Sequence, residues 1–146
     1  MSRRIPFVTA FSALAIAFVL LSGFRLMTPT QTEQAPSRLA VLWTSGDPEV
    51  ATKVAFMYTL NAKRQGWFDE VTLIVWGPSA KLLSENVELQ EAVVGMAEEG
   101  VEVVACKACA DSYGVAEALT GLGVEVKYMG QPLTEMLKSD WKVITF

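Results

Sequence analysis

From Leu39 to the last residue, short apolar runs alternate with segments of helical period, and this alternation constrains the fold more than any other feature. The runs are LAVLWT (Leu39–Thr44), VTLIVW (Val71–Trp76), VEVVA (Val101–Ala105), Val124–Tyr128 and KVITF (Lys142–Phe146). Each is too short for a helix of its own and too apolar for a loop, so each reads as a buried strand. Helical segments between successive strands are crossovers, and strands joined by crossovers run parallel. The expected fold is α/β: three layers, α/β/α, around a mostly parallel five-stranded sheet. Strand order is not legible at this level.

The intervening segments carry their own punctuation. Asp47 stands ahead of Pro48 as an N-cap with proline at the first helical position. Val50, Val54, Met57 and Tyr58 then recur at i, i+4, i+7 and i+8, which predicts one buried helical face ending near Gly66. Gly77-Pro78 breaks the second strand and a short helix holds Leu82 and Leu83. The next helix carries Leu89, Val93, Met96 and Ala97 and stops at Gly100. Val115, Ala118, Leu119 and Leu122 mark a helix closing between Gly121 and Gly123, and Leu133, Met136 and Leu137 mark the last one.

Ahead of this domain lies Ile5–Phe24, twenty residues without a charge. About 20 apolar residues cross a bilayer as a helix. Arg3 and Arg4 precede the run and only Arg25 follows closely, which by the positive-inside bias puts the domain outside the cytoplasm. No good small-x-small cleavage site follows, so two readings stand: an uncleaved single-helix anchor, or a signal peptide whose loss leaves the domain secreted or periplasmic. Residues 28–37, TPTQTEQAPS, are polar, with two prolines and no period, and read as a linker. The chain thus divides into a signal anchor or signal peptide at 1–27, a linker at 28–37 and one domain at 38–146.

Charge and composition exclude several functions. Residues 36–146 carry nine basic and fifteen acidic side chains, net −6, and no basic stripe, so a nucleic acid partner is not expected. The chain has no histidine, which removes Ser-His-Asp triads and histidine-containing metal sites. Ser45-Gly46-Asp47 follows the first strand but lacks the spaced glycines of a phosphate loop and reads as turn and cap. The four tryptophans read as core or interface, and Glu98-Glu99 as a solvated helix end.

What remains is Cys106-Lys107-Ala108-Cys109, in the loop expected between the third strand and the next helix. Sites in such sheets lie beyond the carboxyl ends of the strands. A thiol there meets unpaired N–H groups and the positive end of a helix, both of which favour thiolate, with Lys107 adding charge and Asp111 opposing it. Thiolate serves persulfide formation, disulfide exchange or metal ligation. Against this stand a buried structural cysteine and a structural disulfide. Two thiols are half of a tetrahedral metal site, and the residue after Cys109 is Ala110 where haem attachment needs histidine, so no metal and no cofactor is assigned.

GVEVVACKACADSYGV (Gly100–Val115) and GLGVEVKYMGQPLTEMLKSDWKVITF (Gly121–Phe146) resemble the DsrE/DsrF-like family, and the resemblance covers Arg38–Phe146. It implies the same small α/β fold and, from the sulfur-relay members, a cysteine that carries sulfur as persulfide. By position, Cys106 or Cys109 takes that role. It also implies a homo-oligomer, trimer or hexamer, or assembly with related DsrE-like subunits. Two features depart from the relay members: an export or anchor segment, and a close cysteine pair in place of one reactive cysteine. Sulfur carriage or thiol redox through the pair is therefore the expected function. A non-catalytic oligomeric binding or assembly module with structural cysteines is the alternative.

Overall fold

The computed structural model describes residues 35–146. The expected membrane or signal helix at 1–27 and most of the linker lie outside the described residues. Among the described residues no helix is long and apolar enough to cross a membrane.

Five strands form one sheet: β1 Arg38–Trp43, β2 Glu70–Val75, β3 Glu102–Cys106, β4 Glu125–Lys127 and β5 Lys142–Thr145. Their order is β4-β3-β2-β1-β5, and every pairing is parallel. Val41 pairs with both Leu73 and Ile144, and Ala105 pairs with both Val75 and Val126, so β1, β2 and β3 are paired on both edges.

The first connection, α1, is one continuous helical stretch: Pro48–Val50, a π-helical segment Ala51–Phe56, and Met57–Arg64. There follow α2 Pro78–Glu85, α3 Val87–Glu98, α4 Lys107–Tyr113, α5 Ala116–Gly121 and α6 Gly130–Lys138. The chain steps from β1 to β4 in one direction across the sheet, and right-handed crossovers then put α1 to α5 on one face. The return from β4 to β5 runs the other way and puts α6 alone on the opposite face. The core divides accordingly. Leu39, Val41, Trp43, Leu73 and Val75 pack with Ala55, Leu83, Leu89, Val93 and Leu119 on the thick side. Ala40, Ile74, Val104, Cys106 and Met129 form a smaller cluster under α6, with Leu133, Met136, Trp141 and Val143 against it.

Three helical expectations change, the smallest at Ala97, which is expected on the apolar face of α3 and is exposed. In α1 the buried residues are Ala51, Ala55, Phe56, Thr59 and Ala62, whereas Val54 and Met57 of the expected face are exposed. The i→i+5 turns at Ala51–Phe56 slip the helical register, so a 3.6-residue count from Val50 arrives on the wrong side. The small alanines then let the helix sit close to the sheet, and Phe56 meets Trp43 edge-on at 4.8 Å between ring centroids. The third change lies after β3. The expected helix over Val115–Leu122 is only the second of two, because α4 forms first and ends where Gly114 takes φ +68°. Ala118, expected inside, is exposed.

Candidate thiol site

β3 passes into α4 without a loop. Cys106 is both the last residue of the strand and the residue before the first turn of α4, at φ −67° and ψ 110°. The Cys-Lys-Ala-Cys segment is therefore strand end and first helical turn, and not the loop expected from sequence. Strand alternation points Cys106 to the thin face, where it is 3% exposed in the cluster with Ile74, Val104 and Met129. Cys109, one turn on, is half-buried, and lies near enough to Cys106 for that thiol to raise its pKa. Both cysteines are free.

The neighbouring strand end supplies the other wall. After β2 the chain turns at Gly77 with φ +69° and ψ −131°, a conformation few residues but glycine adopt. Ser79, fully buried, pins this turn. Its hydroxyl donates to the Trp43 carbonyl at 2.6 Å and accepts from the Trp76 N–H at 2.9 Å. The turn brings the Gly77 backbone near enough to the Cys109 sulfur to pull that thiol's pKa down.

Beyond these strand ends lies a cleft of about 620 Å³, lined among others by Trp76, Cys106, Cys109, Tyr128, Met129 and Glu135. Among the described residues Glu135 is the one charged side chain in its lining, and it accepts a hydrogen bond from Gln131 at 2.9 Å. Lys107 is turned to Asp111, bonding both carboxylate oxygens at 2.9 and 2.7 Å, and stands 5.7 Å from the Tyr128 ring centroid. The bond to Asp111 holds the Lys107 amine above its usual range.

The electrostatics reverse one expectation. The helix start and Lys107 were expected to favour thiolate, yet the Cys109 thiol is pushed up from its ordinary value. Burial is the largest cause and the Cys106 thiol the next, while the Gly77 backbone pulls the other way. Lys107 does not offset this because its charge is shared with Asp111.

Asp47 accepts from the N–H groups of Glu49 at 2.7 Å and Val50 at 3.3 Å, so Ser45-Gly46-Asp47 is turn and cap. Among the described residues no three or more Asp, Glu, Cys or His side chains are grouped to hold a metal ion. Sequence reasoning missed Trp76, Tyr128, Met129 and Glu135. Trp76 reads from sequence as one of four core or interface tryptophans, although it stands between the second strand and Gly77. Tyr128 and Met129 follow the fourth strand, so the rule that sites lie at strand carboxyl ends would have found them.

Fold and site together define a small doubly wound α/β domain with a free dithiol in the crevice beyond its parallel strands. The DsrE/DsrF-like family model matches residues 37–146, and the chain belongs to that family. A conserved protein of unknown function from Bacteroides thetaiotaomicron, BT1422, is similar in structure at TM-score 0.73 and 36% identity, over 75% of this chain and 95% of that one. The ychN protein from E. coli aligns at TM-score 0.59 and 15% identity, over 75% of this chain and 99% of that one, a likeness of fold alone. No curated protein matches the chain.

Proposed function

We propose that the chain handles sulfur or thiol redox equivalents through Cys106 and Cys109, as a persulfide carrier or a thiol–disulfide exchange protein. One observation carries this: two free thiols line one cleft at the strand ends, Cys106 buried and Cys109 half-buried. Cys109 is the outer thiol. Its thiolate attacks the terminal sulfur of a persulfide donor, the donor S–S bond breaks, and the donor leaves as thiolate with the bonding electrons. Cys109 then holds the persulfide. Cys106 as thiolate attacks the Cys109 sulfur, forming the Cys106–Cys109 disulfide and expelling hydrosulfide. With a disulfide as donor the same two attacks leave the protein oxidised and release two thiolates.

Mass spectrometry of the reduced protein after a persulfide donor, and separately after a small disulfide, tests this. Cys109→Ser is expected to abolish both reactions, and Cys106→Ser to trap sulfur or a mixed disulfide on Cys109. Neither adduct nor internal disulfide in the unmodified protein would refute the proposal. The burial of Cys106 and the upward push on Cys109 favour a second reading, an assembly module with structural cysteines. Thiols inert to alkylation in the folded protein, with Cys106→Ser lowering stability, would decide for it.

Trimeric or hexameric assembly and an extracytoplasmic domain held by residues 1–27 belong to the same proposal. Light scattering and a reporter fused after Phe146 test them. A monomer, or a reporter active in the cytoplasm, would sink each in turn.

A further inference from the structure

The cleft contains a third sulfur that neither reaction above uses. Met129, 1% exposed, immediately precedes α6 and packs in one buried cluster with Cys106, with Cys109, Met136 and Trp76 against it. Cys106, Cys109 and Met129 all line the cleft. Leucine would fill an apolar position of this size about as well, whereas a thioether is also a soft, polarisable donor.

We propose that Cys106, Cys109 and Met129 form a binding site for a soft monovalent metal ion, Cu(I). The donors are two thiols and a thioether, and the chain has no histidine to make the set harder. Soft thiolate and thioether ligands select Cu(I), whereas Zn(II) takes four ligands in a tetrahedron, and Glu135, engaged with Gln131, is among the described residues the single carboxylate in the lining.

Binding is balanced without an oxidant or reductant. Two Cu–S bonds form, two S–H bonds break, and both protons leave to solvent while copper stays at +1. The thioether adds a neutral third bond, and the centre carries one negative charge. The Gly77 backbone acts on Cys109 in the direction that favours its thiolate, while Trp76 and the buried Met129 keep water from one side. The inference needs the two thiols free but no sulfur transfer, so each reading can fail without the other.

Full-length reduced protein, titrated without oxygen with Cu(I) against a chromophoric Cu(I) chelator, is expected to take one ion per chain. X-ray absorption should show three sulfur neighbours. Loss of an outer-shell partner costs roughly 10–100-fold in metal affinity, so Cys106→Ser and Cys109→Ser should each exceed about 100-fold and Met129→Leu should reach about tenfold. Zn(II) at equal concentration should not displace the copper. Tight binding that survives the double serine variant, or displacement by Zn(II), would overturn the proposal. So would two sulfur neighbours in the unmodified protein, a measurement that stands even where Met129→Leu fails to fold.

Discussion

Gly77→Ala separates backbone strain from thiol chemistry at the site. Gly77 sits at φ +69° and ψ −131°, and a Cβ added there meets no atom within 4 Å. The cost is therefore conformational and not a clash, about 1–3 kcal/mol for a residue held in a sparsely populated region. Ser79 resists relaxation, because its buried hydroxyl ties the turn to both Trp43 and Trp76. If the turn yields, the Gly77 backbone leaves the Cys109 sulfur and the one backbone group from outside α4 that lowers this thiol is lost. Gly66→Ala is the control: φ +62°, equally open space, and a position at the end of α1 outside the cleft lining. Urea denaturation gives the stability change, and alkylation rate against pH with mass detection gives the Cys109 titration. Both variants should lose stability, and only Gly77→Ala should move the Cys109 titration further upward. Full stability in Gly77→Ala would show that the turn is not held at positive φ. An equal thiol shift in both variants, or none in either, would show that the Gly77 backbone does not act on Cys109.

Burial makes the Cys109 thiol harder to ionise folded than unfolded, so the unfolded chain loses its proton first as pH rises. Stability should fall above the ordinary thiol range, and Cys109→Ala should flatten that alkaline slope in urea melts taken across pH; an unchanged slope would contradict the assigned cause. Asp69 is held below the usual carboxylate range, chiefly by the Ser37 hydroxyl and then by its N–H, at 2.8 and 2.7 Å. Its contribution is present above the unfolded carboxylate pKa and is lost as pH falls through the folded one, and Ser37→Ala should return the Asp69 carboxyl signal toward its ordinary position in an NMR titration. Leu73, fully buried in β2, should cost about 2–5 kcal/mol when cut to alanine, and Leu137, largely exposed on α6, within about 0.5 kcal/mol, measured by the same urea melts.

What the sequence disclosed follows from which forces are local. Five apolar runs separated by helical segments force a parallel sheet, because no shorter connection can bring parallel neighbours together. The order β4-β3-β2-β1-β5 depends on which edges meet, and a buried Val-rich strand offers the same edge to any partner. The face of α1 was misread for a different reason. A period of 3.6 assumes unbroken i→i+4 bonding, and no residue in ATKVAF announces the wider turns that bring Ala51 and Ala55 inward. The cysteines were found because their position beyond a strand is a matter of order along the chain. Their ionisation was not, because burial of Cys109 is set by α6 and Met129, residues that come twenty positions later.

The site itself follows from the asymmetry of the two faces. Among the described residues, five helices cover one side of the sheet and α6 alone covers the other, which leaves a crevice where α6 begins and the strands β2, β3 and β4 end. Cys106 faces that crevice by strand alternation, and α4 brings Cys109 to it one turn later. Shifting β3 by one residue would turn Cys106 into the thick face among Val75 and Ala110, away from the cleft. The two faces therefore do different work. The thick face holds β3 in register through Ala105, and that register delivers a buried thiol to the thin face beside Met129. A cavity cut in the thick face, as by Leu119→Ala, should then cost stability and also alter thiol exchange in the molecules that remain folded. An unchanged exchange rate at native conditions would mean that the register is held from the α6 side instead.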